Sequence, residues 1–289
     1  MKVGVVGAGT MGAGIAQMFA MAGHDVTMVD VGAAQLERGM KAIDASLAKL
    51  EEKRKLDAPA REIASRIRTA TDVSALKDAE LVVEAAFEDP KVKGQVFAEL
   101  DRVTATNVIL ASNTSSISID GLASRTRRPD KVAGMHFMNP VPIMPLVEVV
   151  RGPRTSDETL RTIVELARSL GRTPVVSADR PGFIANRVLM PMINEAFLAL
   201  GESVGSAEDI DAVMTLGMSH PIGPLRLADL IGLDVCVAIM EVLEHDLGDK
   251  KYAPAPNLRE LVRAGRLGRK AGRGVNEYAP AKVPEKATA

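Results

Sequence analysis

Cysteine and aromatic residues are scarce in this chain. Among 289 residues there is one cysteine, Cys236, and aromatic side chains make up 3% with no tryptophan. A single cysteine excludes an intrachain disulfide, and its apolar neighbours favour a place in the core. The net charge of −1 leaves no basic excess. With neither a basic stripe nor interleaved aromatics, we expect no nucleic-acid partner.

Long apolar runs and clustered metal ligands are also lacking. No apolar stretch approaches the roughly 20 residues of a membrane span, and the chain opens on a strand pattern instead of a leader. We therefore expect a cytoplasmic protein without a membrane partner. The four histidines are scattered without ligand spacing, so no metal site is predicted. An apolar content of 46% with 25% charged residues is that of an ordinary globular protein, long enough for two domains.

What the chain does have is a glycine-rich loop behind a short apolar strand. The loop is followed by helical periodicity from Ile15 to Ala22, which is the context that gives such a motif its meaning. Its glycines allow a tight turn, a close approach of a pyrophosphate and close packing of the helix, and phosphates favour the helix N-terminus. The predicted dinucleotide-binding loop consists of Gly7, Ala8, Gly9, Thr10, Met11 and Gly12.

Asp30 ends the second predicted strand, residues 25–30. A carboxylate at this distance from the loop accepts hydrogen bonds from the adenosine ribose hydroxyls and repels a 2′-phosphate. The sequence therefore predicts NAD, not NADP, as cofactor.

Strand and helix patterns alternate through the first two thirds of the chain. Further strands are predicted at residues 81–86, 107–112, 131–136, 146–150 and 173–177, with helices at 91–104 and about 156–169. This alternation predicts an α/β fold with a doubly wound parallel sheet, a Rossmann-like domain over residues 1–182. A helical arm rich in lysine and arginine is inserted at about residues 32–68.

Strand signals end near residue 182. The remainder, 183–289, is predicted to be an all-helical substrate and dimerisation domain, because its apolar residues recur at helical spacing and need a covering surface. A homodimer through this domain is expected. Residues 280–289 are predicted to be a frayed tail.

His136 precedes Glu148 by twelve residues. An imidazole held by a carboxylate can take up a hydroxyl proton near neutral pH, which is what a hydride-accepting cofactor needs from the protein. The pair therefore suggests an alcohol or ketone oxidoreductase. A histidine with only a structural role is the alternative for this spacing taken alone.

Several ordered motifs together resemble the short-chain L-3-hydroxyacyl-CoA dehydrogenases, particularly the bacterial 3-hydroxybutyryl-CoA dehydrogenases. They are the glycine loop, Val83-Glu-Ala85 with Glu88 and Lys93, residues 112–116, 134–140 and 179–187, His220-Pro-Ile-Gly-Pro224, residues 227–234, and Leu267-Gly-Arg-Lys-Ala-Gly272. The resemblance covers residues 1 to about 278. It implies reversible NAD-dependent oxidation of an (S)-3-hydroxyacyl-CoA, with a short acyl chain such as 3-hydroxybutyryl, to the 3-ketoacyl-CoA.

The resemblance also implies roles for single residues. His136 matches the family's catalytic base and Glu148 its partner, while Ser115 and Asn186 match polar groups at the reacting oxygen of the substrate. The residues that match the cofactor site besides the loop and Asp30 are Glu88, Lys93, Ser115, Asn139 and Lys270. Ser46 and Lys53 fall where the family's helical arm meets coenzyme A.

Two other functions stay open. A related hydroxyacid or L-gulonate-type dehydrogenase would use the same His-Glu pair without coenzyme A, although the cationic stretch from Lys49 to Lys55 favours a substrate with phosphates. A non-catalytic NAD-binding protein would have no need for the four polar residues assigned to catalysis.

Overall fold

The computed structural model describes residues 1–278, and the predicted tail lies outside them. The chain forms two compact units, Met1–Phe183 and a second that begins at Ile184. Two clusters of buried apolar side chains belong to the first unit and a third belongs to the second. Each unit therefore has a core of its own.

The first unit is built on an eight-stranded sheet. Its strands are β1 (Lys2–Val6), β2 (Asp25–Val29), β3 (Ile67–Ala70), β4 (Leu81–Glu84), β5 (Ile109–Ser112), β6 (Val132–Phe137), β7 (Leu146–Arg151) and β8 (Thr173–Ala178). The strand order is β3-β2-β1-β4-β5-β6-β7-β8. All neighbouring pairs are parallel except β6 with β7.

Helices cover both faces of this sheet. They are α1 (Thr10–Met21), α2 (Ala33–Glu52), α3 (Ala60–Ser65), α4 (Pro90–Val103), α5 (Ile119–Ala123) and α6 (Asp157–Ser169). Apolar side chains of α1, α2, α3 and α6 pack in one cluster against the sheet, and those of α4 and α5 pack in the other. Successive strand residues such as Val82 and Val83 enter opposite clusters, as the period of a strand requires. The predicted doubly wound α/β fold is confirmed.

Two details differ from the sequence-based prediction. The end of the predicted helical arm overlaps β3 (Ile67–Ala70), whose four residues carry too little apolar pattern to be recognised as a strand. The sheet is also not parallel throughout, because β7 runs antiparallel to β6. Only eight residues separate Phe137 from Leu146, and a parallel connection needs a dozen or more.

The described part of the second unit is helical, as predicted. Its helices are α7 (Ala185–Gly201), α8 (Ala207–Ala212), α9 (Pro224–Ile231), α10 (Leu233–Leu247) and α11 (Pro256–Arg263), with a π-helical turn at Val213–Gly217. Cys236 lies in the core of this unit, where burial raises the pKa of its thiol to about 12. Among the described residues, no helix has the length and apolar character to span a membrane.

Candidate active site at the carboxyl edge of the sheet

The glycine loop connects β1 to α1. Gly7 has a φ of +104°, which favours glycine, and a Cβ at Gly12 would lie 1.9 Å from the carbonyl oxygen of Gly7. A Cβ at Gly9, in contrast, would meet no other heavy atom within 4 Å. No side chain caps the N-terminus of α1, so a ligand can supply the acceptor that its first N–H groups need. The loop thus fits the pyrophosphate of a dinucleotide.

Asp30 follows β2 directly and its carboxylate closes over the loop. It accepts hydrogen bonds from the backbone N–H of Ala8 at 2.8 Å and of Gly32 at 3.3 Å. An ionised carboxylate has about four acceptor positions, so the two oxygens of Asp30 keep capacity for the hydroxyl groups of a ribose. The geometry fits NAD at this end of the sheet.

A cavity of about 440 Å³ lies beside the loop, within the first unit. Residues from three segments line it, among them Gly9, Thr10, Gly14, Arg38, Ser46 and Asn139. Ser46 and Asn139, both predicted site residues, therefore share a space with the loop. Arg38 is the cationic side chain among the lining residues, and it makes no side-chain hydrogen bond or ion pair within residues 1–278.

His136 and Glu148 face each other across the antiparallel pair β6 and β7. The register places them directly opposite, so both side chains project from the same face of the sheet. The Nδ1 of His136 lies 3.1 Å from Oε2 of Glu148, and both side chains are buried. The twelve-residue spacing is therefore the consequence of one short connection between two strands.

Ser115 completes a row of three polar groups. It lies in the turn that follows β5, and its Oγ is 3.0 Å from Nε2 of His136. Each ring nitrogen of His136 thus has a partner, Ser115 on one side and Glu148 on the other. With Nδ1–H directed to the carboxylate, Nε2 is the nitrogen that can accept a proton beside the Ser115 hydroxyl.

The turn after β5 is fixed by two residues to which the sequence analysis gave no role, although they lie in the quoted motif 112–116. Asn113 accepts a hydrogen bond from the backbone N–H of Phe137 at 2.9 Å, and its own N–H donates to the backbone oxygen of Glu84 at 2.8 Å. Thr114 donates to Oε1 of Glu88 at 2.5 Å. The signal for such a role is their position in a polar run directly after a buried strand.

Glu88 and Lys93, both predicted cofactor residues, lie at the same edge. The ammonium of Lys93 is 3.2 Å from Oε2 of Glu88 and 2.7 Å from Oε1 of Glu84. The side chain of Lys93 is 1% exposed, whereas that of Glu88 is 40% exposed. Glu88 is thus accessible to a ligand, and Lys93 is enclosed between two carboxylates.

The remaining predicted residues lie apart from this group or in the other unit. Lys53 is exposed at the end of α2 and is not among the residues that line the cavity. Asn186 is buried in the first turn of α7, and Lys270 pairs with Asp234 at 2.7 Å, both within the second unit. Their roles stay predictions. Within residues 1–278 no group of three His, Cys, Asp or Glu side chains could hold a metal ion.

A dinucleotide loop and a buried His-Glu pair at one edge of a doubly wound sheet define a class of protein. The class is that of nicotinamide-dependent oxidoreductases that interconvert an alcohol and a ketone, since the cofactor exchanges a hydride and the histidine exchanges a proton.

Comparison with known proteins identifies the family. Residues 2–180 match the NAD binding domain of 3-hydroxyacyl-CoA dehydrogenase, and residues 182–278 match its C-terminal domain. A Deinococcus radiodurans protein named "Probable 3-hydroxybutyryl-CoA dehydrogenase" is 52% identical over 96% of this chain and 100% of its own length. The 3-hydroxybutyryl-CoA dehydrogenase of Bradyrhizobium diazoefficiens is 50% identical over 97% and 96%.

A solved structure agrees with these relatives. The (S)-3-hydroxybutyryl-CoA dehydrogenase of Ralstonia eutropha superposes with a TM-score of 0.93 at 50% identity, covering 96% of this chain and 99% of that one. The chain therefore belongs to the 3-hydroxyacyl-CoA dehydrogenase family of NAD-dependent oxidoreductases. The predicted family, enzyme class and cofactor are confirmed.

Proposed function

We propose that this protein oxidises (S)-3-hydroxyacyl-CoA thioesters of short chain, such as 3-hydroxybutyryl-CoA, to 3-ketoacyl-CoA with NAD, and catalyses the reverse reduction. The observation that carries this is the row Ser115, His136 and Glu148 at the sheet edge that also holds the glycine loop. The names of relatives about 50% identical supply the substrate class.

The proton transfer follows from the geometry of His136. In oxidation Nε2 takes the proton of the C3 hydroxyl, and in reduction the imidazolium returns it. Glu148 accepts from Nδ1–H at 3.1 Å, which fixes the tautomer and stabilises the imidazolium. The Ser115 hydroxyl, 3.0 Å from Nε2, orients the reacting oxygen beside the base. Bound NAD supplies the hydride-accepting chemistry.

Different residues of the first unit would bind different parts of NAD. Residues 7–12 would hold the pyrophosphate at the N-terminus of α1, and Asp30 would bind the adenosine ribose. Glu88 and Asn139, both exposed at the same edge, would line the nicotinamide end together with Ser115. We also propose that Lys270 binds NAD and that Asn186 orients the substrate, as the resemblance implies. We propose the first unit as the NAD-binding domain and the second as the substrate and dimerisation domain.

The cavity beside the loop would receive part of the acyl-CoA. Ser46 and Arg38 line it, and a guanidinium without an ion-pair partner can bind a phosphate through paired hydrogen bonds. Lys53, exposed at the end of the same helix α2, would add positive charge at the rim of the arm.

Loss of NADH absorbance with acetoacetyl-CoA tests the proposed function. We expect turnover with acetoacetyl-CoA and far less with L-gulonate and NAD at equal concentrations. Preference for L-gulonate would instead indicate an L-gulonate-type dehydrogenase, which does not use coenzyme A. Tight NADH binding without turnover of either substrate would indicate a non-catalytic protein.

A homodimer through the second unit is supported by exposed apolar side chains. Val213, Leu216 and Met218, around the π-helical turn, are 58%, 86% and 61% exposed, and such patches commonly mark interfaces. Sedimentation of the protein should give twice the monomer mass, and Leu216→Asp should shift it towards the monomer. We also propose a cytoplasmic location, where thioester substrates and NAD are available.

A further inference from the structure

Glu84 is a carboxylate that the proposed reaction does not use. It ends β4, its side chain is 0% exposed, and it accepts three hydrogen bonds. Oε1 accepts from the backbone N–H of Ala86 and from Lys93, both at 2.7 Å, while Oε2 accepts from the hydroxyl of Ser112 at 2.6 Å. Glu84 thus forms a buried ion pair with Lys93 beneath the sheet edge.

Lys93 is the cation paired with Glu84. Its ammonium has three N–H groups and three neighbours: Oε1 of Glu84 at 2.7 Å, the backbone oxygen of Ala86 at 3.2 Å and Oε2 of Glu88 at 3.2 Å. Two of these contacts are hydrogen bonds, to Glu84 and Ala86, and the third is an ion pair with Glu88. Because a buried ammonium without paired charge is strongly unfavourable, Lys93 stays between the two carboxylates.

Glu88 connects Lys93 to the turn that contains Ser115. Its Oε2 is held by Lys93, which leaves Oε1 to accept from the hydroxyl of Thr114 at 2.5 Å and from the backbone N–H of Ser115 at 2.9 Å. The Oγ of Ser115 in turn meets Nε2 of His136 at 3.0 Å. The buried charge of Glu84 is thus connected to the proposed base through four consecutive polar contacts.

We infer that Glu84 is a positioning residue: together with Lys93 it holds Glu88 against residues 114–116 and so fixes the Ser115 hydroxyl beside His136. Lys93 then serves the site through Glu88 and not by touching the cofactor. Without the charge of Glu84, Lys93 pairs with Glu88 alone and draws that carboxylate away from the turn. This inference rests on the proposed function for the step that Ser115 assists.

A double-mutant cycle tests the inference. Glu84→Gln, which keeps the shape and removes the charge, should lower kcat with acetoacetyl-CoA about tenfold, because misplacement of an orienting group has effects of this order or larger. KM and the NADH dissociation constant should change less than twofold. In the Ser115→Ala background the same substitution should change kcat less than twofold. An equal loss of kcat in both backgrounds would overturn the inference.

Asp101 provides a matched control for loss of stability alone. It is another buried carboxylate of the first unit, paired with Arg127 and Arg128 at 2.8 and 2.9 Å, and it does not contact the turn. Asp101→Asn should lower the melting temperature and leave kcat unchanged. A loss of kcat in Asp101→Asn equal to that in Glu84→Gln would mean that any buried charge has this effect, and would reject the positioning role.

Two further measurements keep the inference testable. If Glu84→Gln does not fold, Ser112→Ala removes one donor to Glu84 and should lower kcat about threefold, the effect of a single hydrogen bond, only where Ser115 is present. If the parent protein fails to turn over acetoacetyl-CoA, the proposed function fails. A crystal structure of either variant then decides the positioning role, since an unchanged Ser115 Oγ to His136 Nε2 distance would overturn it.

Discussion

The cofactor loop and the Ser115-His136 edge lie at the same side of one sheet but are assembled differently. The loop spans residues 7–12. The side chain that distinguishes its ligand, Asp30, lies 22 positions after Ala8 and accepts a hydrogen bond from it. The Ser115-His136 edge brings together side chains from β4, α4, β6, β7 and the turn after β5, from Glu84 to Glu148. One region is local in the chain, and the other exists only after the sheet has formed.

The two regions should differ in how well they tolerate substitution. Backbone groups dominate the loop, so most of its side chains can vary while its glycines cannot. At the Ser115-His136 edge the side chains make the site, and each is held by another side chain or by a neighbouring strand. We therefore expect the largest effects of conservative substitutions at that edge.

His136 carries the largest expected effect. His136→Gln removes the proton acceptor while keeping a polar side chain between Ser115 and Glu148. We expect kcat to fall about 10²- to 10⁴-fold, the usual contribution of a positioned general base, with NADH binding and melting temperature preserved. Steady-state kinetics and NADH fluorescence titration measure these quantities. Full turnover by a stably folded variant would refute the assignment of the base.

Glu148→Gln should have the next largest effect. An amide cannot stabilise the imidazolium, and it can direct its NH₂ at Nδ1 and so select the other tautomer. A charge-assisted hydrogen bond is worth about 1.5–3 kcal/mol, which corresponds to a loss of kcat of about 10- to 100-fold. If Glu148→Gln keeps the kcat of the parent, the carboxylate has a structural role only.

The same contrast between local and assembled regions explains which parts of the structure could be predicted from sequence. The loop, Asp30 and the doubly wound fold follow from local periodicity and spacing, which need no tertiary information. The antiparallel direction of β7 could have been predicted from the eight-residue connection between β6 and β7. The alternation of strands and helices suggested parallel strands throughout. Glu84 belongs to the quoted motif Val83-Glu-Ala85 but received no role, because its contacts with Lys93 and Ser112, which come from other elements, cannot be seen in the sequence.

Asp30 tests the local side of the comparison. Replacing Asp30 by Ser and the 94% exposed Val31 by Arg removes the charge that repels a 2′-phosphate and supplies one that attracts it. The ratio of kcat/KM for NADH to that for NADPH should fall about 10- to 100-fold, the value of one charge-assisted contact. Val31→Gln is the control and should leave the ratio unchanged. Equal use of both cofactors by the parent protein would contradict the role of Asp30.

The smallest expected effects belong to the helical arm, where sequence and structure favour different residues. The resemblance assigns Lys53 to coenzyme A, whereas the structure places Arg38, like Ser46, in the lining of the cavity. Arg38→Ala should raise KM for acetoacetyl-CoA about two- to fivefold, since exposed ion pairs contribute about 0.2–1 kcal/mol. KM for the N-acetylcysteamine thioester, which lacks the nucleotide, should not change.

Lys53→Ala is the matched variant, because it removes one positive charge from the same helix outside the cavity. We expect its effect on KM to be smaller than that of Arg38→Ala. Salt should weaken substrate binding more in the parent than in Arg38→Ala, as a screened charge contact requires. If only Lys53→Ala raises KM for acetoacetyl-CoA without changing KM for the N-acetylcysteamine thioester, coenzyme A binds near Lys53, outside the cavity. If neither variant does, the charges of the arm are merely solvated, and the assignment of His136 is unaffected.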